Sequence, residues 1–233
     1  MEMNDRERWD CCVRPGARDY RWLLDRGYPD QPTIKLVGDR YRLTRVERGM
    51  LYRGIFSESA SLQRSRRLRE PGTVAGSSIT IDGYNVLFTV WNYLAGRPLV
   101  AATDGFVRDI GGTRSRLPRD ERFVRVCRSL VRSLLELQTG DVTVFLDEQL
   151  PWSRDHGVIL QDLWDEATGG DEEGRAPCRV LTETSVDARV AATVDGIIVT
   201  SDTGIIDRCT VAVLDLAGHV LRHDLGAMPA NLL

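Results

Sequence analysis

The sequence predicts an α/β protein with a three-layer, mostly parallel sheet and a small N-terminal subdomain that is mainly helical. From residue 77 onward, short β-branched runs alternate with longer stretches whose apolar residues recur at helical spacing. Such alternation is typical of strand–helix–strand units with right-handed crossovers, which place helices on both faces of a sheet. Residues 1–70 show mainly helical patterns instead.

The bulk composition is that of an ordinary globular protein. The 233 residues are 42% apolar and 28% charged, which suits one large or two small domains. No run of 18 apolar residues occurs, so we expect no membrane contact. The first residues are charged and lack an apolar segment, so we expect a cytoplasmic protein without a signal peptide.

A change in composition at Glu70-Pro71-Gly72 predicts the domain boundary. It separates an N-terminal helical, basic subdomain (1–72) from an α/β domain (73–233). Residues 1–70 carry 16 basic against 11 acidic side chains, whereas the remainder carries 15 against 23. This asymmetry predicts a first part that meets phosphates and a second part that holds cations.

Three segments of the N-terminal subdomain have recognisable patterns. Apolar spacing predicts a helix over 18–27, and 33–41 fits either a short helix or a strand. Thr44 and Glu47 have the spacing of a capping box, which predicts a helix that continues to about residue 56. A basic tract follows at 61–69.

The arginines of this region are expected to contact the backbone phosphates of a nucleic acid without reading its bases. A solvated helix face explains any one of them equally well. The predicted phosphate-binding residues are Arg40, Arg42, Arg45, Arg48, Arg64, Arg66, Arg67 and Arg69.

Six strands and five helices are predicted in the α/β domain. The strands are 78–82, 99–103, 141–147, 179–181, 196–202 and 210–216. The helices are 84–94, 119–138, 155–167, 185–194 and 204–208. Loops are expected at Gly111-Gly112 and at 169–174, where Asp171, Glu172 and Glu173 are expected to be solvated.

Three of the predicted strands end in an aspartate, namely Asp82, Asp147 and Asp202. The carboxyl ends of parallel strands lie on one edge of a sheet, so these side chains converge if their strands are neighbours. Asp187, in the first turn after the fourth strand, lies on the same edge. Converging carboxylates repel one another unless cations neutralise them, and Mg²⁺ prefers such oxygen ligands. The alternative for each aspartate alone is a helix cap.

Other polar residues surround these four. Asn85 is expected to hold Asp82 or a metal-bound water, or to cap the following helix. Ser201 and Thr203 flank Asp202 and are expected to orient it or a phosphate. The further ligand candidates are Asp104, Asp109, Glu121 and Asp207.

Two other kinds of phosphate chemistry are disfavoured. Gly83 stands alone after the first strand, so neither the GxGxxG nor the GxxxxGK[ST] phosphate loop is present. A metal phosphohydrolase of another Rossmann-like type would carry Asp-x-Asp after its first strand, but residue 84 is a tyrosine.

Over residues 77–216, the order of these motifs resembles the PIN/NYN nuclease superfamily. Asp82-Gly83-Tyr84-Asn85 is similar to its first motif, and Val144-Phe145-Leu146-Asp147 to its second. The segment 186–192 resembles the PIN helix that begins with a metal-binding aspartate. Val199-Thr200-Ser201-Asp202 is similar to the closing motif. The resemblance implies a Rossmann-like, PIN-like fold that cleaves RNA, less often DNA, with Mg²⁺ or Mn²⁺.

The resemblance also implies residue roles and partners. Asp82, Asp147, Asp187 and Asp202 would be the catalytic metal ligands, and Asp207 lies where PIN domains often place another carboxylate. PIN domains usually carry one more acidic residue on an intervening helix, a place for which Glu121 is the candidate here. A homodimer is expected by the same analogy.

The front part, from Asp19 to Arg48, resembles an uncharacterised prokaryotic family found mainly in archaea, catalogued as a domain of unknown function. The leading hypothesis for the whole chain is a metal-dependent nuclease that binds RNA. The alternative is a PIN-like module that binds RNA or protein without cutting.

Overall fold

A computed structural model describes residues 5–111, 116–169 and 177–233, with side chains from residue 7. Gly112 and the predicted solvated residues Asp171, Glu172 and Glu173 lie outside the described residues. No helix in the described ranges is long and apolar enough to cross a membrane.

Helices and strands alternate through the second half of the chain, as the sequence predicts. The helices are α1 (Asp5–Arg8), α2 (Arg14–Leu24), α3 (Asp30–Arg40), α4 (Arg45–Gly54), α5 (Glu58–Ser65), α6 (Gly83–Leu94), α7 (Glu121–Glu136), α8 (Ser153–Thr168), α9 (Val186–Ala191), α10 (Thr203–Arg208) and α11 (Leu216–His223). The strands are β1 (Leu68–Arg69), β2 (Ile79–Asp82), β3 (Leu99–Ala101), β4 (Val107–Asp109), β5 (Val142–Asp147), β6 (Cys178–Glu183), β7 (Ile197–Val199), β8 (Ala212–Leu214) and β9 (Ala230–Asn231). A π-helical segment, Trp9–Val13, links α1 to α2, and Pro71–Thr73 form a 3₁₀ turn.

The chain forms two compact units. The first comprises the described residues of Met1–Arg66, Gly96–Thr113 and Met228–Leu233, and the second those of Arg67–Ala95 and Arg114–Ala227. The sequence placed a single boundary at residue 72, whereas two later segments also group with the N-terminal residues.

The first unit is mainly helical and has its own apolar core. Helix α4 begins with the predicted capping box, in which the Thr44 side chain accepts from the Glu47 amide and the Glu47 side chain accepts from the Thr44 amide. The ambiguous segment at 33–41 is helical, as part of α3. The core side chains include Val13, Ala17, Tyr20, Val37, Leu51, Ile55, Val100 and Leu232.

The strand predicted at 99–103 forms, but it does not join the parallel sheet as expected. It is β3, which pairs antiparallel with β4 and parallel with β9 in a small separate sheet. The reason is a tight turn at Gly105, whose φ of +94° favours glycine. Because the Ala102 amide donates to the Phe106 carbonyl, the chain returns at once as a hairpin. A parallel strand needs a long crossover instead.

The second unit is an α/β structure with helices on both sides of its sheet. Six strands in the described residues pair in the order β1-β8-β7-β2-β5-β6, and every pair is parallel. Helices α6, α7 and α11 pack on one another, while α9 contacts α10 and the strands β2 and β5. Strands β7 and β8 are continuous apolar runs, which is typical of a sheet that is covered on both faces.

Helix α11 was not predicted, because the apolar run 210–216 was assigned entirely to a strand. Strand β8 ends at Leu214, and Asp215 begins the helix. Its carboxylate accepts from the Gly218 amide at 2.9 Å, which satisfies one of the free amides of the first turn.

Gly83 allows helix α6 to start in close contact with β5. A Cβ atom at this position would lie 2.6 Å from Leu146 Cδ2 and 2.9 Å from the Phe145 carbonyl oxygen. We therefore expect Gly83→Ala to lower the free energy of unfolding by about 1–3 kcal/mol, because the backbone of β5 must give way. Urea unfolding followed by circular dichroism measures this. Gly72→Ala, which meets nothing within 4 Å, is the matched control.

Candidate metal centre

Three aspartates predicted as ligands follow adjacent strands. Strand β2 lies between β7 and β5, so Asp82, Asp202 and Asp147 emerge at the same edge of the sheet. Asp187 lies in the first turn of α9, which contacts both β2 and β5. The topology therefore satisfies the condition on which the predicted convergence depends.

Asp82 is buried at the centre of this edge. Its Oδ2 accepts a hydrogen bond from Thr200 Oγ1 at 3.0 Å, and its Oδ1 accepts a long one, 3.5 Å, from the Asn85 amide. Asp82 is therefore the N-cap of α6, as the alternative interpretation expects. Capping does not account for the Oδ2 atom of Asp82, which is held by Thr200 just after strand β7.

Thr200 is a site residue that sequence reasoning missed. Its hydroxyl donates to Asp82 and accepts from the Asp202 amide at 3.1 Å. The strand register explains this, because Ile81 pairs with Val199 and the next residues of both strands are therefore level. A threonine two residues before a strand-end aspartate was the available signal.

Asn85 joins helix α6 to the end of β7. Its Oδ1 accepts from the Ser201 amide at 2.8 Å and from the Ser201 hydroxyl at 3.1 Å. The backbone amide of Ser201 can only donate, so the side-chain oxygen of Asn85, and not its nitrogen, must face Ser201. The backbone amide of Asn85 takes part in the cap of α6, because it donates to Asp82. The Asn85 side chain instead holds Ser201, the residue before Asp202.

Asp202 and its neighbours form the first turn of α10. The Asp202 carboxylate accepts from the Ile205 amide at 3.1 Å, so this residue is also a helix cap. Thr203 is the first residue of the helix and is partly buried. Asp207 is exposed near the end of the same helix. Its role as a further ligand stays a prediction.

Asp187 occupies the first turn of α9, as predicted. Ser185 stands at the N-cap position, but its side chain makes no capping hydrogen bond, and the helix ends at Ala191 rather than near residue 194. The Asp187 carboxylate nevertheless acts on Asp82 electrostatically, together with that of Asp202.

Asp147 lies one step farther along the edge. Asp82 is level with Phe145, so Asp147 follows two residues beyond that level on the neighbouring strand. Two residues of extended chain span about 6.6 Å. The Asp147 Oδ1 accepts from the Gln149 amide at 2.9 Å, which stabilises the turn after β5. Asp82, Asp187 and Asp202 therefore form the inner group, which we call the Asp82 cluster, and Asp147 stands outside it.

The Asp82 cluster strongly disfavours ionisation of its buried member. The pKa of Asp82 is raised to about 7, mainly by burial and also by the negative charges of Asp187 and Asp202. The hydrogen bonds from Thr200 and Asn85 act in the opposite direction. A carboxylate with this environment is stable as an anion only if positive charge is supplied nearby.

The cluster is more open than a compact metal site. In the described part of the chain, only Glu136, His223 and Asp224 bring three potential ligand atoms within 4.8 Å of one another. The positive charge of Arg132 already neutralises part of that trio, because Arg132 lies 2.8 Å from Asp224 and 3.6 Å from Glu136. The Asp82 cluster is wider, which suits an ion that keeps several of its waters, as Mg²⁺ does.

Asp104, predicted as a supporting residue, does not follow a strand of the parallel sheet, which corrects the assignment of that strand. The strand before it belongs to the small sheet of the first unit. Its buried carboxylate accepts two hydrogen bonds of 2.8 Å from Arg108, and Arg64 lies 3.6 Å away. Its charge is thus compensated by arginine.

Asp109 and Glu121, the weaker ligand candidates, lie on other elements than the strands that carry the Asp82 cluster. Asp109 accepts from the Gly111 amide at 2.6 Å in the first unit. Glu121 is exposed at the first position of α7.

Three of the predicted phosphate-binding arginines are engaged within the protein. Arg64 is buried beside Asp104 and stacks over the Phe56 ring. Arg67 donates to the Ile206 carbonyl at the end of α10. Arg48 donates to the Leu43 carbonyl and to Asp39, both at 2.9 Å. A basic tract read from sequence does not distinguish these from surface residues.

The other five arginines remain exposed and available to phosphates. Arg40 pairs loosely with Asp19 at 3.7 Å, and its side chain is 71% exposed. The exposed members of the predicted set are Arg40, Arg42, Arg45, Arg66 and Arg69.

Comparison with known proteins gives family matches over both parts of the chain. The family described as "Domain of unknown function (DUF5616)" matches residues 71–219, and "Protein of unknown function (DUF434)" matches residues 14–67. The chain is similar to the uncharacterized protein MJ0935 of Methanocaldococcus jannaschii, with 23% identity over 191 residues. That alignment covers 82% of this chain and 90% of the archaeal protein. No solved structure matches the chain.

Proposed function

The chain belongs to the family described as "Domain of unknown function (DUF5616)", and we propose that it is a metal-dependent nuclease, with RNA as the favoured substrate. One observation carries this proposal. A buried carboxylate, Asp82, sits at the carboxyl edge of a parallel sheet beside two other carboxylates, where folding without a cation is costly. Structures retain such strained charge mainly at functional sites.

The residues present fit Mg²⁺ or Mn²⁺. Asp82, Asp187 and Asp202 offer oxygen ligands only, which these ions prefer. Asp147 and Asp207 are the candidates for additional ligands on the same side. A divalent cation bound here supplies positive charge to a phosphodiester and lowers the pKa of a water molecule, which is the chemistry that phosphodiester hydrolysis requires.

The side chains around Asp82 hold the arrangement in place. Thr200 fixes one Asp82 oxygen, and the Asn85–Ser201 hydrogen bonds fix the chain that leads into Asp202. The N-terminus of α6 lies at the same edge, and its dipole favours negative charge, including that of a phosphate. These contacts preorganise the site before substrate binds.

The motif order that resembles the PIN/NYN superfamily supports the same function and favours RNA over DNA. The exposed arginines Arg40, Arg42, Arg45, Arg66 and Arg69 would add affinity for phosphates that depends on salt. A homodimer and a cytoplasmic location stay predictions.

Cleavage of labelled RNA and DNA tests the proposal. We expect the full chain to cut RNA in Mn²⁺ or Mg²⁺ and to be inactive in EDTA. Asp82→Asn and Asp202→Asn are expected to reduce the rate at least about 100-fold, because each removes a negative ligand from the ion. Asp162→Asn, an exposed carboxylate on the outer part of α8, is the matched control and should cut at the wild-type rate.

The open spacing of the Asp82 cluster favours one alternative, a module that binds RNA or protein without cutting it. If wild type and both variants show the same trace of cleavage, that cleavage is contamination and the nuclease proposal fails. Retained RNA binding in the same preparations would then support the alternative.

A further inference from the structure

Trp152 stands on the same edge of the sheet as the Asp82 cluster. Strand β5 ends at Asp147, and the turn that follows leads directly to Trp152 before α8 begins at Ser153. Because β5 is adjacent to β2, the loop 148–152 rises beside the strand that carries Asp82. Trp152 is 39% exposed, so part of this large residue is open to solvent.

The backbone holds this tryptophan in a costly conformation. Its φ of +67° lies in the left-handed region, which bulky residues rarely adopt. The loop is fixed on both sides, since the Glu148 amide donates to the Glu183 carbonyl and the His156 amide donates to the Trp152 carbonyl. A strained, fixed and exposed aromatic residue is more typical of a binding site than of a structural turn.

Two arginines border the indole ring. The guanidinium carbons of Arg119 and Arg116 lie 4.7 Å and 5.6 Å from its centroid. Both residues precede α7, whose N-terminus lies at the carboxyl edge because the helix runs antiparallel to the strand that it precedes. By comparison, Arg26 lies 3.5 Å over the Trp22 ring, in direct stacking contact. Arg116 and Arg119 lie over the Trp152 ring at the longer distances of a cation–π contact, and Arg119 also pairs with Asp155.

We propose that Trp152 is a stacking platform for one unpaired base of a nucleic acid strand, with Arg116 and Arg119 holding the adjoining phosphates. An aromatic ring beside cations is the combination that binds single strands, because every base has a π-face and every nucleotide a phosphate. The bases of a duplex are stacked on one another and cannot cover the ring. The inference rests on the proposed function, because it takes the substrate to be a nucleic acid strand.

Binding of short labelled oligonucleotides to the full chain tests the platform. Fluorescence anisotropy in EDTA, where cleavage does not proceed, would compare a twelve-nucleotide RNA, the same DNA sequence and their duplexes. Trp152→Gly removes the ring and suits the positive φ, and a thermal melt checks that this variant is folded under the binding conditions. Trp152→Asn is the second variant, since asparagine also tolerates this conformation.

We expect both variants to bind single strands about ten- to one-hundred-fold more weakly than wild type. Trp152→Phe should stay within about threefold, because it keeps an aromatic face. Val158→Ala, which trims an exposed apolar side chain on α8, should bind as wild type does. The RNA and DNA arms show whether the sugar matters to this contact.

The binding results test the stacking role of Trp152, and the cleavage results test the nuclease proposal separately. Wild-type affinity in Trp152→Gly and Trp152→Asn would overturn the platform, even if Mn²⁺-dependent cleavage is intact. Weakened binding in these variants, without any cleavage by wild type, would uphold the platform and reject the nuclease. A wild-type protein that neither binds nor cuts single strands would overturn both and leave Trp152 as a contact for a protein.

Discussion

Asp82→Asn is expected to stabilise the metal-free protein at pH 8 while it removes the site. In wild type, the pKa of Asp82 is raised to about 7 by burial, against about 4 in the unfolded chain. Holding this carboxylate ionised at pH 8 therefore costs a few kcal/mol, which a neutral amide of the same shape avoids. A gain of about 1–3 kcal/mol would raise the melting temperature by roughly 2–4 °C per kcal/mol.

The pH dependence of this effect has a defined sign. The folded state binds the Asp82 proton more tightly than the unfolded state. The stabilising contribution of this group to folding is therefore full below about pH 4 and is lost as pH rises through 7. The advantage of Asp82→Asn should therefore be small at pH 5 and largest at pH 8. Thermal unfolding by circular dichroism at pH 5, 6, 7 and 8 measures it.

A divalent cation should reverse the order of stability. Millimolar Mn²⁺ is expected to raise the melting temperature of wild type by binding the folded state, and to leave Asp82→Asn nearly unchanged. The exposed Asp162→Asn change serves as the control and should follow wild type at every pH. An equal loss of stability for Asp82→Asn at all four pH values would mean that Asp82 is an ordinary ionised helix cap.

Asp104→Asn is expected to lower the free energy of unfolding by about 3–5 kcal/mol, because it leaves a buried cation without its partner. Asp104 is fully buried and receives both Arg108 hydrogen bonds at 2.8 Å, while the Arg108 side chain is only 1% exposed. Arg64 lies close to the same carboxylate. The Asp104→Asn change therefore takes a negative charge away from two buried guanidinium groups in the first unit.

Urea unfolding of single and double variants separates the loss of the pair from the loss of packing. Asp104→Asn combined with Arg108→Met should recover part of the stability, since no uncompensated charge remains on Arg108. Arg128→Ala breaks an exposed pair with Glu166 and should have no measurable effect. A cost below about 1 kcal/mol for Asp104→Asn would show that water reaches the pair.

The α/β architecture could be predicted because short runs rich in β-branched residues alternate with amphipathic helices. The same reasoning correctly put Asp82 and Asp147 at the ends of parallel strands, whereas β7 ends at Val199 and Asp202 caps α10 just beyond it. It could not give the strand order, which depends on packing between distant segments. The order decides that Asp82 stands between the other two.

The misplaced elements share a physical cause. The segment at 99–101 is as apolar as a central strand, and only the hairpin at Gly105 diverts it into another sheet. Arg64 and Asp104 look like surface charges in sequence, but each is buried because its partner is near in space. Thr200 was overlooked because its role depends on register, which a single sequence does not specify.

Titration of the metal-free protein with Mn²⁺ tests the central claim most directly, because it needs no knowledge of the substrate. Electron paramagnetic resonance of unbound Mn²⁺ would count the ions held by wild type, Asp82→Asn, Asp202→Asn and His223→Ala. The last variant controls for binding at the Glu136, His223 and Asp224 trio. We predict that wild type and His223→Ala bind one or two ions and that both aspartate variants lose them. Equal binding by all four proteins, or binding lost only in His223→Ala, would contradict a metal centre at Asp82.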